Sequence, residues 1–337
     1  MPQRLPSSRP RRAALALAAV LVGALAACGE DTSRAAGSTA AGGDGAWPVT
    51  IAHAFGETTI EEEPRRVVTV GFNEADFALA LGVTPVGVRD YLGYDHANRP
   101  WAAGLLPDEP LPTVGDQEID LEAVAALEPD LILGVYSFID EETYGLLSEI
   151  APTVAESADF PTGGTPWQEQ TRTTGQALGV PEEAEALVGE VEAQVAAAVE
   201  ANPSFAGAVV PVDYVFDGSH YVLEEADLRN RFFADLGLAT PGTTGELSPE
   251  LVGELDRDAL VVVGVQEQDA LADPLFAALP VVRDDRTLFL GDFTQDLSAA
   301  LGFGSPLSIP FALDVTVPRL AQALDGDPAT AVEAYTG

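Results

Sequence analysis

Lysine is missing altogether from this chain, and cysteine occurs once in 337 residues. Without lysine there can be no Schiff-base nucleophile and no phosphate-gripping P-loop lysine. A single cysteine rules out an internal disulfide and any cysteine metal site. Three histidines, His53, His96 and His220, lie far apart and give no metal-ligand spacing, so no metal site is expected. No G-x-S-x-G, dinucleotide fingerprint or H-E-x-x-H occurs, so no enzyme class is indicated. Carboxylates are so abundant that no pair of them stands out as a glycosidase-type site. Positive charge is equally scarce: 54 acids face 16 arginines, a formal net charge of −38. Such a chain is repelled by nucleic acid and anionic lipid, which excludes polyanion binding.

The one cysteine, Cys28, ends an apolar run. Residues 1–12 carry four arginines and no acid, and residues 13–27 are apolar or glycine. Fifteen residues are too few for a membrane span, which needs about 20, but they fit a secretory signal peptide. Leu25-Ala26-Ala27-Cys28-Gly29 resembles the bacterial lipobox. That resemblance implies cleavage before Cys28, lipid attachment to it, and residence on the outer face of the cytoplasmic membrane, held only by the lipid anchor. Cleavage would remove four arginines and move the charge from −38 to −42. Residues 28–46, rich in Gly, Ala, Ser and Thr, read as a flexible tether.

From Trp47 onward the chain alternates. Short apolar runs at 65–70, 85–88, 130–135, 208–216, 259–265 and 287–291 lack a polar-apolar period, as expected of parallel strands buried on both faces. Amphipathic segments such as 74–82 and 119–127 separate them, giving an α/β pattern. Residues 181–201 differ. Ala184, Leu187, Val188, Val191, Val195 and Val199 fall at helical spacing behind Pro181, which suits a first helical turn. A helix of about 30 Å is expected there. It divides the chain into a lobe at 47–180 and a lobe at 202–337. Each lobe carries a related phrase: Ile119-Asp120-Leu121-Glu122 and Leu247-Ser248-Pro249-Glu250, with Asp120 and Ser248 as expected helix N-caps.

Ordered phrases resemble the substrate-binding proteins of ABC importers for iron–siderophores, haem and cobalamin. They are Pro64-Arg65-Arg66-Val67-Val68, Leu81-Gly82-Val83-Thr84-Pro85-Val86-Gly87-Val88, Asp120-Leu121-Glu122 running to Leu131-Ile132, Ile150-Ala151-Pro152-Thr153-Val154, Pro166-Trp167, Ala177-Leu178-Gly179 and Phe303-Gly304-Ser305-Pro306-Leu307. The resemblance covers most of the chain after residue 46. It implies an α/β fold of two Rossmann-like lobes with parallel central sheets, joined by one long helix, with the ligand in the cleft between them. It implies a monomeric receptor without a cofactor, whose ligand is a ferric siderophore complex and whose partners are ABC transporter permease subunits. Cobalamin or haem is the alternative ligand, and a surface sensor lipoprotein the alternative role.

A site for a ferric siderophore needs aromatic faces, hydrogen-bond donors, and cations if the complex is anionic, and strand-end loops are the natural place for them. The expected ligand-binding residues are Arg89, Tyr91, Tyr94, Arg99 and Trp101, a dense group after the strand at 85–88; Tyr136 and Ser137 after 130–135; and Tyr214, Phe216, Arg231, Phe293, Phe303 and Ser305 in the second half. His220 beside Tyr221 could complete the coordination of an unsaturated ferric complex. Glu122 and Glu250 match the one glutamate per lobe that docks onto permease arginines, a pairing an exposed carboxylate can make in bidentate form. The acidic chain leans toward neutral or cationic complexes over triply anionic catecholates, although its field is screened beyond about 8–10 Å.

Overall fold

A computed structural model of the chain describes residues 47–335 apart from 91–93, 226, 303 and 328. The signal and tether at 1–46, Cys28, Tyr91 and Phe303 therefore lie outside the described residues.

The first lobe opens with an antiparallel hairpin, β1 (Val49–His53) and β2 (Gly56–Ile60). Alternate residues point inward, with Ile51, His53, Thr58 and Ile60 buried, the period-2 pattern of a half-buried strand pair. The sheet behind it is parallel. It runs β3 (Val67–Thr69), β4 (Leu131–Gly134), β5 (Thr153–Ala155), all buried. The segment at 86–88 extends it beside β3, where Thr69 N–H donates to the Gly87 carbonyl at 3.0 Å, and Thr113 pairs in turn with Val88. Successive side chains feed opposite faces. Val67, Leu131, Leu133 and Val154 enter one core cluster; Val68, Val70 and Ile132 enter another. Both faces are apolar, which explains the unbroken apolar runs in the sequence. Helices α1 (Glu74–Ala80), α2 (Leu121–Ala126), α3 (Glu141–Ser148) and α4 (Trp167–Leu178) complete this lobe.

Residues Pro181–Ala201 form α5, a single 21-residue helix. Ala184, Val188 and Val191 form its buried stripe, and Val188 and Val191 join the core of the second lobe together with Phe77 and Trp167 of the first. Its start is packed tightly on α4, because a Cβ at Gly175 would collide with the Cβ of Ala184.

The second lobe holds a five-stranded sheet in the order β10 (Thr287–Phe289), β9 (Leu260–Val263), β6 (Val212–Phe216), β7 (Ser219–Val222), β8 (Gly245–Leu247). The first three are parallel, as the sequence implied. The last two are antiparallel, so this sheet is mixed. β7 and β8 escape notice in the sequence because each is short and carries polar residues. Around the sheet lie α6 (Leu228–Asp235), the one-turn helices α7 (Glu267–Ala270), α8 (Pro274–Ala277) and α9 (Pro280–Arg283), then α10 (Asp296–Gly302) and α11 (Ser308–Ala323). The two Glu-bearing phrases diverge in detail. Asp120 caps α2 by accepting from the N–H groups of Glu122 and Ala123. Ser248 makes no side-chain cap, and Pro249–Leu255 is a 3-10 helix. Among the described residues no helix is long and apolar enough to cross a membrane.

Candidate functional site: an aromatic cleft between the lobes

The ends of β3 and β4 in the first lobe face β6, β7 and the start of α6 in the second. Between them lies a cleft of about 960 Å³. Eight aromatic side chains line it: Phe72, Tyr136, Phe138 and Phe160 from one side, Tyr214, Phe216, Tyr221 and Phe293 from the other. Seven of the rings meet in two chains. Phe138 lies 5.0 Å from Tyr136 and 5.6 Å from Phe72. Tyr214 lies 6.1 Å from Phe216, 6.3 Å from Tyr221 and 6.0 Å from Phe293. Such spacings are those of mutually stabilising aromatic pairs. The rim is open: Phe216 is 61% exposed and Phe138 49%.

Phe138 is held there against its own backbone preference. Its φ is +55°, in the left-handed region that bulky residues avoid. The ring is seated on Gly163, itself at φ +71°, where any Cβ would strike the ring edge. Strain of this kind persists where the surroundings over-determine it, commonly at ligand clamps.

A close ion pair stands in the wall. Asp227, the N-cap of α6, receives the Arg229 Nε at 2.9 Å and Nη2 at 2.7 Å, and the guanidinium lies 4.8 Å from the Tyr214 ring centre. Burial works against the charge on Arg229, yet the pairing with Asp227 holds its pKa above the ordinary guanidinium value. Tyr136 is pushed up to about 12, first by burial and then by the nearby Asp227 carboxylate. Below the floor, Glu74 is fully buried in the first turn of α1. Its Oε1 accepts the Tyr136 N–H at 2.7 Å. Burial raises its pKa to about 7, against the opposing pull of backbone N–H groups and Arg89.

The structure divides the sequence-nominated residues. Tyr136, Tyr214, Phe216, Arg231 and Phe293 line the cleft. Arg89 lies just behind it, 4.7 Å from the Phe72 ring centre. Ser137 is buried, with its hydroxyl donating to the Gly134 carbonyl at 2.8 Å. Tyr94, Arg99, Trp101 and Ser305 do not line the cleft. They form a buried junction around Asp76 instead. Asp76 Oδ1 accepts Arg99 Nε at 2.6 Å; Oδ2 accepts Trp101 Nε1 at 2.6 Å and Ser305 Oγ at 3.0 Å. Tyr94 stacks on Trp101 at 5.7 Å and donates its hydroxyl to Asp296 Oδ1 at 2.6 Å. Trp101 reaches Phe311 of α11 at 5.6 Å. The dense aromatic group thus fastens one lobe to the other, because α1 brings a buried carboxylate that its polar tips satisfy.

His220 is also placed elsewhere. It is buried with Nδ1 2.6 Å from Asp213 Oδ2 and its ring against Phe276 at 5.3 Å, on the face of the second sheet that holds the core of Val215, Val222 and Leu247. It therefore offers nothing to the cleft. Among the described residues no group of three or more His, Cys, Asp or Glu could hold a metal ion. Glu122 and Glu250 are exposed, each in the first turn of its helix.

Sequence reasoning missed Phe72, Phe138, Phe160, Asp227 and Arg229. Phe72 and Phe138 had a usable signal, since each follows the carboxyl end of a buried strand, where ligands bind in α/β sheets. Arg229 and Phe160 had none.

Residues 67–292 match the periplasmic binding protein family, a stretch that begins at β3 and runs just past β10. A periplasmic solute-binding protein of Mycobacterium smegmatis shares the fold with a TM-score of 0.75 at 33% identity, over 82% of this chain and 99% of that one. The iron-uptake substrate-binding protein PiaA of Streptococcus pneumoniae, solved in complex with ferrichrome, follows with a TM-score of 0.69 at 25% identity, over 82% and 99% of the two chains. A Bacillus subtilis protein named "Probable siderophore-binding lipoprotein" is 39% identical over 113 residues, 32% of this chain and 33% of that protein. The chain spans about a third of the length of the first such curated relatives. Because the matched stretch takes in both sheets, the helix between them and the cleft they form, the chain belongs to the periplasmic binding protein family, whose members are named for binding a solute and not for turning one over.

Proposed function

We propose that this chain is an extracytoplasmic receptor that binds a ferric siderophore and delivers it to an ABC importer. The observation that carries the reading is the cleft itself, roomy and walled by aromatic side chains from both lobes. A compact iron complex wrapped in organic ligand offers apolar edges to such rings and polar oxygens to the Tyr136, Tyr214 and Tyr221 hydroxyls. The names of the relatives, a siderophore-binding lipoprotein and a ferrichrome complex, support it. Glu122 and Glu250 are the proposed contacts to the permease, one per lobe, and Cys28 the proposed lipid anchor. The receptor acts as a monomer, and the protein needs no cofactor of its own. Cobalamin and haem are the competing ligands. Calorimetric titration of the purified full-length protein with ferric siderophores, their iron-free forms, haem and cobalamin tests the proposal. Saturable submicromolar binding of a ferric complex, with weaker binding of its iron-free form, is expected. Tighter binding of haem or cobalamin would reassign the ligand.

A further inference from the structure

We infer that the cleft selects ferric complexes without net negative charge; the inference rests on the receptor reading above and adds the class of ligand. Three arginines stand in or behind the wall, and the guanidinium groups of Arg229 and Arg89 are already engaged by several bonds each. Arg229 is held bidentately by Asp227 and lies over the Tyr214 ring. Arg89 donates to four backbone carbonyls, those of Asp116 at 2.6 Å, Gln117 at 2.5 Å, and Val70 and Ser137 at 3.3 Å, and it sits against Phe72. Arg231, half-exposed at the rim, makes a single weaker Nε contact to Asp235 at 3.4 Å.

The charges that remain point the other way. Glu224 lines the same wall as Asp227. Recruiting Arg229 to an anionic complex would break its pair and leave the Asp227 carboxylate beside the new anion. Losing the partner of a buried or half-buried charge is costly. Aromatic faces carry negative quadrupoles, so a wall built from them attracts cations and tolerates neutral surfaces. The net charge of −38 acts in the same direction at longer range.

The test titrates the purified full-length protein with a neutral ferric trihydroxamate, a monocationic one bearing a protonated amine, and a trianionic ferric tris-catecholate. The neutral and cationic complexes are expected to bind at least tenfold more tightly than the catecholate. Equal or tighter binding of the catecholate overturns the charge inference and leaves the receptor reading standing. Binding of none of the three overturns both. A second arm uses Asp227→Asn, since asparagine still caps α6 but frees the charge of Arg229. The affinity ratio of catecholate to neutral complex should rise at least tenfold in the variant. An unmoved ratio would show that the Asp227–Arg229 pair does not set the preference.

Discussion

Phe216 shows what a single side chain contributes to this cleft. It stands 61% exposed at the end of β6, with its ring against Tyr214. Folding gains little from a ring so exposed, so its replacement should cost the fold less than about 0.5 kcal/mol. A ligand, by contrast, would cover it. Phe216→Ala is therefore expected to weaken ferric-complex binding about tenfold, near the 1.4 kcal/mol of a good aromatic contact, with the melting temperature unchanged. Calorimetry with a thermal melt checks both, and unaltered affinity would take the rim out of the site. Glu74 makes the opposite kind of contribution. Its pKa of about 7 lies above the ordinary value of 4.5. Below pH 4.5 the carboxyl is protonated whether the chain is folded or not. Between 4.5 and 7 the unfolded chain releases the proton while the folded chain keeps it, so stability falls as pH rises. The loss is complete above pH 7 and amounts to at most about 3 kcal/mol. Glu74→Gln should flatten that slope, gaining stability over the parent at pH 8 and little at pH 4.5. Parallel urea titrations at the two values would show it, and a constant difference between the proteins would contradict the assignment.

At the scale of elements, the junction around Asp76 adds a polar tie between lobes that already share apolar contacts through Phe77, Trp167, Val188 and Val191. Asp76 on α1 is bonded to the turns at 96–102 and, through Ser305, to the second lobe. Asp76→Ala would leave Arg99 buried with its charge unpartnered, which costs about 3–5 kcal/mol. Equilibrium unfolding should register a loss of that size, and a loss under about 1 kcal/mol would mean that the ion pair is not a structural tie. The same junction shows how far the sequence could be read. Strands β3, β4, β9 and β10 were legible because burial on both faces writes an apolar run, and β6 because its Val- and aromatic-rich segment reads as a strand despite Asp213. Helix α5 was legible because Ala184, Val188 and Val191 repeat at helical spacing. The hairpin β1–β2 carried an alternation in Ile51, His53, Thr58 and Ile60 that went unread, while β7 and β8 are too short to carry one. Aromatic density at 94–101 was real, but its destination depended on Asp76, eighteen or more residues upstream, and on Ser305, over two hundred residues downstream. No local pattern reveals such a partner. Phe138 was legible as a residue past the carboxyl end of β4, but not its left-handed backbone, which the sequence does not announce.

For the whole molecule, function requires that ligand and permease be met by different surfaces. The cleft is the proposed surface for the first, and Glu122 and Glu250, both exposed, are the proposed contacts for the second. Replacing both with arginine should abolish siderophore uptake by cells while leaving ligand affinity as it was. A fall in affinity would place those residues in the fold or the site. Cys28→Ala should likewise move the protein from the membrane fraction to the medium, and retention would contradict lipid anchoring. In the proposed function, iron carried in its siderophore comes to rest between the two aromatic walls. Anomalous diffraction at the iron edge from crystals grown with a ferric siderophore tests it most directly. One strong peak is expected in the cleft, flanked by Tyr136 and Phe138 on one side and Tyr214 and Phe216 on the other. A peak anywhere else on the molecule, or none at saturating ligand, would contradict it.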